Sequence, residues 1–197
     1  PRSAVGILLD VAEKYGDSRP VATFYVNAQP FAGKDRYLAA LAALGMELGA
    51  HTANHVNLKQ LDSDGVQREM VAGLKVIERA VPSARVTTMA LPFGARPRSP
   101  VLAYHGAAGG QVYDFDGVML VGSNPAMSPF HLGFEPLRVP RIRSGLRTGD
   151  QTFTSTYWLP RLRGTRFVSD GDPDVISFPL AKRALLSPRL ASRANPY

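Results

Sequence analysis

The sequence predicts an α/β fold built on parallel strands, on three observations. Strand-like and helix-like runs alternate at short spacing, as in repeated strand-helix units and unlike a sandwich. The strand-like runs are compact and apolar without clean alternation, as expected of strands covered on both faces. With 197 residues, 45% of them hydrophobic and 20% charged, the chain can bury a sizeable core, and one domain over residues 1–197 is the expected organisation.

The elements follow in order. Residues 3–15 (SAVGILLDVAEKY) carry Val5, Leu8, Leu9 and Ala12 at the i, i+3, i+4, i+7 spacing of an amphipathic helix, and Gly16 stands where it would end. Residues 21–26 (VATFYV) form a β-branched and aromatic strand. Residues 35–44 (DRYLAALAAL) are helical and close on Gly45, and 46–50 (MELGA) form a short strand leading into His51. The longest helical pattern is 63–81, capped by Asp62 or Ser63; Val66, Met70, Val71, Leu74, Ile77 and Val81 lie on one face, and Pro82 stops it. Residues 86–91 (VTTMAL) form a strand that runs into the turn Pro92-Phe93-Gly94. A strand is expected within 112–121 (DGVMLV) and another at 175–178 (VISF), while the Pro-, Gly- and Arg-rich stretch 122–149 reads as long surface connections.

Composition excludes several chemistries. Zero cysteines removes disulfides, thiolate metal sites and a cysteine nucleophile, so a metal would have to sit on imidazole and oxygen ligands. No stretch approaches the roughly 20 apolar residues that span a bilayer, and no export signal is visible. The net charge of +7 lies wholly in residues 138–197, which hold 11 basic residues, ten of them Arg, against four Asp. Such a segment suits an anionic polymer or an ordinary solvated surface, and no nucleic-acid reading motif accompanies it.

The residues that stand out chemically are His51 and His55 in the run GAHTANH. Two histidines four apart at the entrance to a helix or loop point the same way and can reach one ion, and these follow directly on a strand. A metalloprotease would have Glu after the first His; Thr52 stands there, so that reading fails. The spacing alone also fits two surface histidines.

The pair does not stand alone. The order ATFYV (22–26), LGAHTANH (48–55) with Leu58 beyond, and LPFG (91–94) resembles the polysaccharide deacetylase, or NodB-homology, family of carbohydrate esterases, over at least residues 3–94. The stretches VMLVGSNP (118–125) and FVSDGDP (167–173) are similar to one bacterial branch of it. The resemblance implies an irregular (β/α) barrel with its groove at the C-terminal strand ends, and removal of N-acetyl groups from peptidoglycan- or chitin-like polymers outside the cell or in its envelope. It implies a divalent metal, most often zinc, held by His51 and His55 with a third, carboxylate ligand. Thr52 would steady the loop, the main-chain N–H of Phe93 would face the oxyanion, and Pro92 and Gly94 would border the substrate. Trp158, in FTSTYWL (153–159), is read either as a sugar-stacking residue or as core.

The chain also departs from that pattern. The family's first strand ends in an Asp pair, the base and third ligand, and no Asp-Asp occurs here; Asp10 falls within a helical pattern. The family's Arg that contacts the base is Leu91 here or absent, and the acid histidine expected near VISFPL (175–180) is missing, with His105 or His131 as substitutes. Three explanations are open: a natural N-terminal segment is absent from the chain, which begins at Pro1; a separate N-terminal fragment is the partner carrying the Asp pair; or the chain is a deacetylase-like module that binds glycan without hydrolysis.

Overall fold

The computed structural model describes residues 3–16, 19–122, 124–144, 154–165 and 170–197. Parts of the 122–149 stretch and of the FVSDGDP match therefore lie outside the described residues.

Helix α1 (Ala4–Tyr15) starts where Ser3 Oγ accepts the N–H of Gly6 at 3.1 Å and ends at Gly16, whose φ of 67° is the left-handed conformation that closes a helix cheaply only in glycine. Strand β1 (Thr23–Val26), helix α2 (Arg36–Ala43) and strand β2 (Glu47–Ala50) follow. Helix α3 (Ser63–Ala80) is capped by the Asp62 carboxylate, 2.6 Å from the N–H of Gly65. Its buried stripe includes Val66, Met70, Val71, Leu74 and Ile77, so the 3.6-residue pattern of the sequence marks the face that packs. Strand β3 (Thr88–Ala90) then leads into the Pro92–Gly94 turn.

The strand expected within 112–121 (DGVMLV) is present as Gly117–Met119, and a hairpin that the sequence reading did not include precedes it. His105–Ala108 (β4) and Gln111–Asp114 (β5) form an antiparallel hairpin, and Gly117–Met119 (β6) is separate. The hairpin turns at Gly109 and Gly110, with φ of 56° and 80°, and two consecutive positive φ angles give the turn that matches strand twist. Trp158 lies in a short helix, α4 (Ser155–Leu162), and the chain ends in a parallel pair, β7 (Ile176–Phe178) with β8 (Ala194–Pro196).

Strands β1, β2, β3 and β6 form one sheet in that order, all parallel, which is the predicted α/β class; among the described residues the sheet is open and does not close into a ring. Val139 adds a parallel bridge to Met119, with Leu120 donating to Val139 and Val139 to Val118, at 2.8 and 2.9 Å. Part of the expected surface connection thus runs along the sheet edge, where its backbone groups find partners. Two apolar clusters flank the strands. One joins α3 to Ala50, Met89, Leu91, Tyr113 and Val118, and the other joins α2 to Val26, Leu48 and Ile77. No helix among the described residues is long and apolar enough to cross a membrane.

Candidate metal centre

Strand β2 delivers His51 at its C-terminal end, beside the end of β3. The His51 Nδ1–H donates to the carbonyl of Ala90 at 2.6 Å. A carbonyl only accepts, so this bond puts the ring proton on Nδ1 and leaves the Nε2 lone pair free. Burial lowers the pKa of His51, the bond to Ala90 works the other way, and His55 and the Arg141 guanidinium lower it further. The ring is therefore held neutral, the form that can ligate a metal.

The next four residues fold into a tight loop on α3. Thr52 is fully buried with φ of 62°, and its Oγ1 accepts the N–H of His55 at 3.1 Å. Ala53 donates to the Glu69 carbonyl at 3.0 Å, and Asn54 gives its backbone N–H and its Nδ2 to the two Glu69 carboxylate oxygens at 2.9 and 2.7 Å. Gly73 makes this docking possible, since a Cβ there would lie 2.9 Å from the carbonyl carbon of Thr52. His55, with φ of 52°, turns back so that its ring centroid is 4.8 Å from that of His51.

Phe93 completes the cluster. Its ring lies edge-on to His55 at 4.7 Å and is 65% exposed, so it forms an outer wall beside the pair. Phe93 has φ of 56°, and Gly94, with φ of 67°, sits where a Cβ would come 3.1 Å from that of Val121. Thr52, His55 and Phe93 are three of the four non-glycine residues with positive φ among those described. Such conformations cost on the order of 1–3 kcal/mol each and persist only where surroundings hold them, so their clustering marks a built site.

The family model described as polysaccharide deacetylase matches residues 8–109, over half of the chain, including both histidines and the Pro92-Phe93-Gly94 turn. The chain belongs to the polysaccharide deacetylase family. A chitin deacetylase of the fungus Arthroderma benhamiae is 32% identical over 98 residues, 48% of this chain and 26% of that protein. The chain thus spans about a quarter of the length of that curated relative. Two solved structures are also similar: a peptidoglycan deacetylase of Bacillus subtilis (22% identity, 51% of this chain and 48% of that one, TM-score 0.42) and a family 4 carbohydrate esterase pseudoenzyme from Bacillus anthracis (24%, 50% and 33%, 0.42).

Within this deacetylase-family chain the expected site residues divide into two groups. His51, His55, Thr52, Pro92, Phe93 and Gly94 come together. Trp158 sits on α4, where its ring partner is Tyr157 at 5.1 Å. His105 pairs with Asp114 at 3.5 Å across the β4–β5 hairpin, and His131 Nδ1 accepts the N–H of Gly133 at 2.9 Å, so each has a local partner away from the His51–His55 rings. Leu91 is fully buried in the α3 cluster, and Asp10 is an exposed residue of α1.

Sequence reasoning missed Glu69 and Gly73, which hold the loop, and Arg141, which faces the site. An isolated glycine inside an otherwise strong helical pattern was the available signal for Gly73. The two imidazoles suit a divalent ion, one with Nε2 free and its Nδ1 anchored as a ligating ring requires. Among the described residues no group of three His, Cys, Asp or Glu could hold a metal ion, and the two imidazoles are the nitrogen donors that this site brings together.

Proposed function

We propose that this chain carries the metal-binding part of a deacetylase that removes N-acetyl groups from a peptidoglycan- or chitin-like polysaccharide, outside the cell or in its envelope. The observation that carries the reading is the His51–His55 pair, with ring centroids 4.8 Å apart and the Nδ1 of His51 anchored to Ala90. Family membership and the name of the Arthroderma relative support the substrate class. Imidazole nitrogen is a donor type that suits zinc, the ion that the resemblance to the family most often implies. Bound there, the ion would supply an acidified water and a polarised acetyl carbonyl.

The chain's own residues do the rest. His51 and His55 hold the ion, and Thr52 fixes the backbone of His55. Phe93 turns its main chain toward the site so that its N–H can meet the oxyanion, with Pro92 and Gly94 shaping that turn and bordering the substrate. A third ligand and a base, both carboxylates in the family pattern that the chain resembles, would complete the site. Residues 1–197 act as one domain, and Trp158 offers a ring to the glycan at a distance from the chemistry.

Zinc content after dialysis and acetate release from N-acetylglucosamine oligomers test the reading in the wild type, His51→Ala and His55→Ala. Loss of about one zinc per chain in either variant is expected, and equal zinc in wild type and His51→Ala would overturn the assignment. A second reading, a module that binds glycan without hydrolysis, is favoured by the lack of a carboxylate completing the donor set among the described residues and by the buried Leu91. Under it, oligomers bind without acetate release, and chelation leaves binding intact.

A further inference from the structure

Arg141 lies two residues beyond Val139, which pairs along the outer edge of β6. It therefore stands at the C-terminal end of the sheet, the end from which His51 and Phe93 also emerge. The close approach of two main chains holds it there: Gly122 packs on the backbone of Arg141, and a Cβ at position 122 would overlap the Arg141 nitrogen and oxygen. The side chain is fixed at two points. Its Nε donates to the carbonyl of Leu120 at 2.9 Å, and its guanidinium lies 5.6 Å from the centroid of the Tyr25 ring. Tyr25 is itself placed by Gly49, two residues before His51, since a Cβ at that glycine would lie 2.5 Å from the ring, and its hydroxyl is 3.2 Å from Thr88 Oγ1. The charge of Arg141 is felt at His51.

Three other arginines of the basic C-terminal third use their side chains to tie down the chain locally. Arg193 grips the carbonyls of Pro173 and Asp174, Arg161 that of Tyr157, and Arg138 pairs with Glu135. Arg141 differs. With Nε engaged on Leu120, its two terminal nitrogens have no acceptor among the described residues. Glu47, the carboxylate that acts on Tyr25 together with Arg141, is occupied by the hydroxyls of Thr23, Thr87 and Thr88. A half-buried guanidinium on an aromatic face, with its terminal edge free, is shaped for a planar anion with two oxygens.

We propose that Arg141 is the carboxylate-binding residue of this site, holding either an acid group carried by the glycan or the acetate that deacetylation releases. The inference rests on the deacetylase reading for the identity of the carboxylate, but not for the existence of the anion site. A lysine at 141 would keep the charge and lose the two-toothed edge. Glutamine would lose both.

Sodium acetate is titrated into the metal-free chain by calorimetry at constant ionic strength, with sodium chloride as the blank. Saturable acetate binding is expected, weakened about 10-fold or more in Arg141→Gln and less in Arg141→Lys, as loss of a charge-assisted pair predicts. Arg79→Gln, at an exposed pair with Asp35, should bind acetate like the wild type. Circular dichroism and zinc uptake verify that each variant is folded. A second arm compares neutral N-acetylglucosamine oligomers with N-acetylated oligomers that contain uronic acid, on the zinc-loaded chain. If Arg141→Gln loses a preference for the acidic oligomers, the glycan carries the bound carboxylate; if only acetate affinity falls, the occupant is the released product. No saturable acetate binding by the wild type, or equal affinity in a folded Arg141→Gln, overturns the proposal. Failure of zinc uptake at His51 and His55 overturns the metal reading alone, because the acetate arm contains no metal.

Discussion

Gly73→Ala tests whether helix α3 and the histidine loop are one structure. In an unobstructed helix interior the change stabilises by up to about 1 kcal/mol, because alanine loses less backbone freedom on folding. At position 73 the new methyl would lie 2.9 Å from the carbonyl carbon of Thr52, 3.0 Å from its oxygen and 3.3 Å from the nitrogen of Ala53. These are backbone atoms, so no rotamer change relieves the contact. The loop is also held from the same helix by Glu69, through Ala53 and Asn54, and cannot move away without losing those bonds. Overpacking of this kind costs about 1–3 kcal/mol, which exceeds the helix gain and reverses its sign.

The expected result in urea unfolding is a net loss of about 1–2 kcal/mol for Gly73→Ala. Zinc affinity should fall about 10-fold or more, since Thr52 fixes the backbone of His55 and residues supporting metal ligands typically matter by that factor. Gly6→Ala in α1 is the control, because its methyl would meet only Ser3 Oγ, at 3.4 Å. It should be neutral or slightly stabilising. A Gly73→Ala chain more stable than the wild type, with unchanged zinc affinity, would refute the claim that α3 shapes the site.

Thr52→Ala leaves the His55 N–H without its acceptor inside a buried loop and should cost about 1–2 kcal/mol in denaturant unfolding; a change near zero would mean that water replaces the hydroxyl. Tyr113 is buried with its hydroxyl donating to the Leu102 carbonyl at 2.9 Å, and burial pushes its pKa up to about 12. The folded state then holds a proton that the unfolded chain releases near 10, so this contribution to stability is whole below about pH 10 and is lost as pH rises toward 12. Absorbance titration of the phenolates should show a late tyrosine in the folded chain that is missing in Tyr113→Phe, and ionisation of every tyrosine near 10 would contradict the burial argument. Leu91→Arg should unfold the chain or cost more than about 4 kcal/mol, because it places a charge in the α3 cluster; a folded variant within about 1 kcal/mol of wild type would show that position 91 can face the site.

What was legible in the sequence was what local pattern encodes. The stripe Val66, Met70, Leu74, Ile77 marked α3 because side-chain period is a property of one helix, and Gly16 marked the end of α1 because only its own backbone angle is involved. The histidine pair was legible for the same reason, as a spacing of four after a strand. The β4–β5 hairpin was missed although Gly109-Gly110 is a strong turn signal, because the apolar run DGVMLV after it drew the strand assignment and left 105–108 unassigned. The pairing of Val139 with Met119 and the approach of Arg141 to Tyr25 join residues 20 and 116 positions apart, and nothing local announces such contacts. Trp158 stays open between its two readings: its ring lies edge-on to that of its neighbour Tyr157, a contact that fits core packing and a sugar-stacking surface alike.

The chemistry of His51 depends on the sheet more than on the histidine. Register places Ala50 opposite Met89 and Ala90 opposite Met119, so the carbonyl of Ala90 falls beside the first residue after β2. That carbonyl takes the Nδ1 proton, and by taking it frees Nε2 for an ion. A one-residue slip between β2 and β3 would present the other face of the strand and withdraw the acceptor. The same register brings Leu91 into line with the β6 edge, where its N–H donates to Met119 and its side chain is drawn into the core instead of the groove. The pairing that places the Ala90 carbonyl against His51 thus also draws the side chain at position 91 into the core.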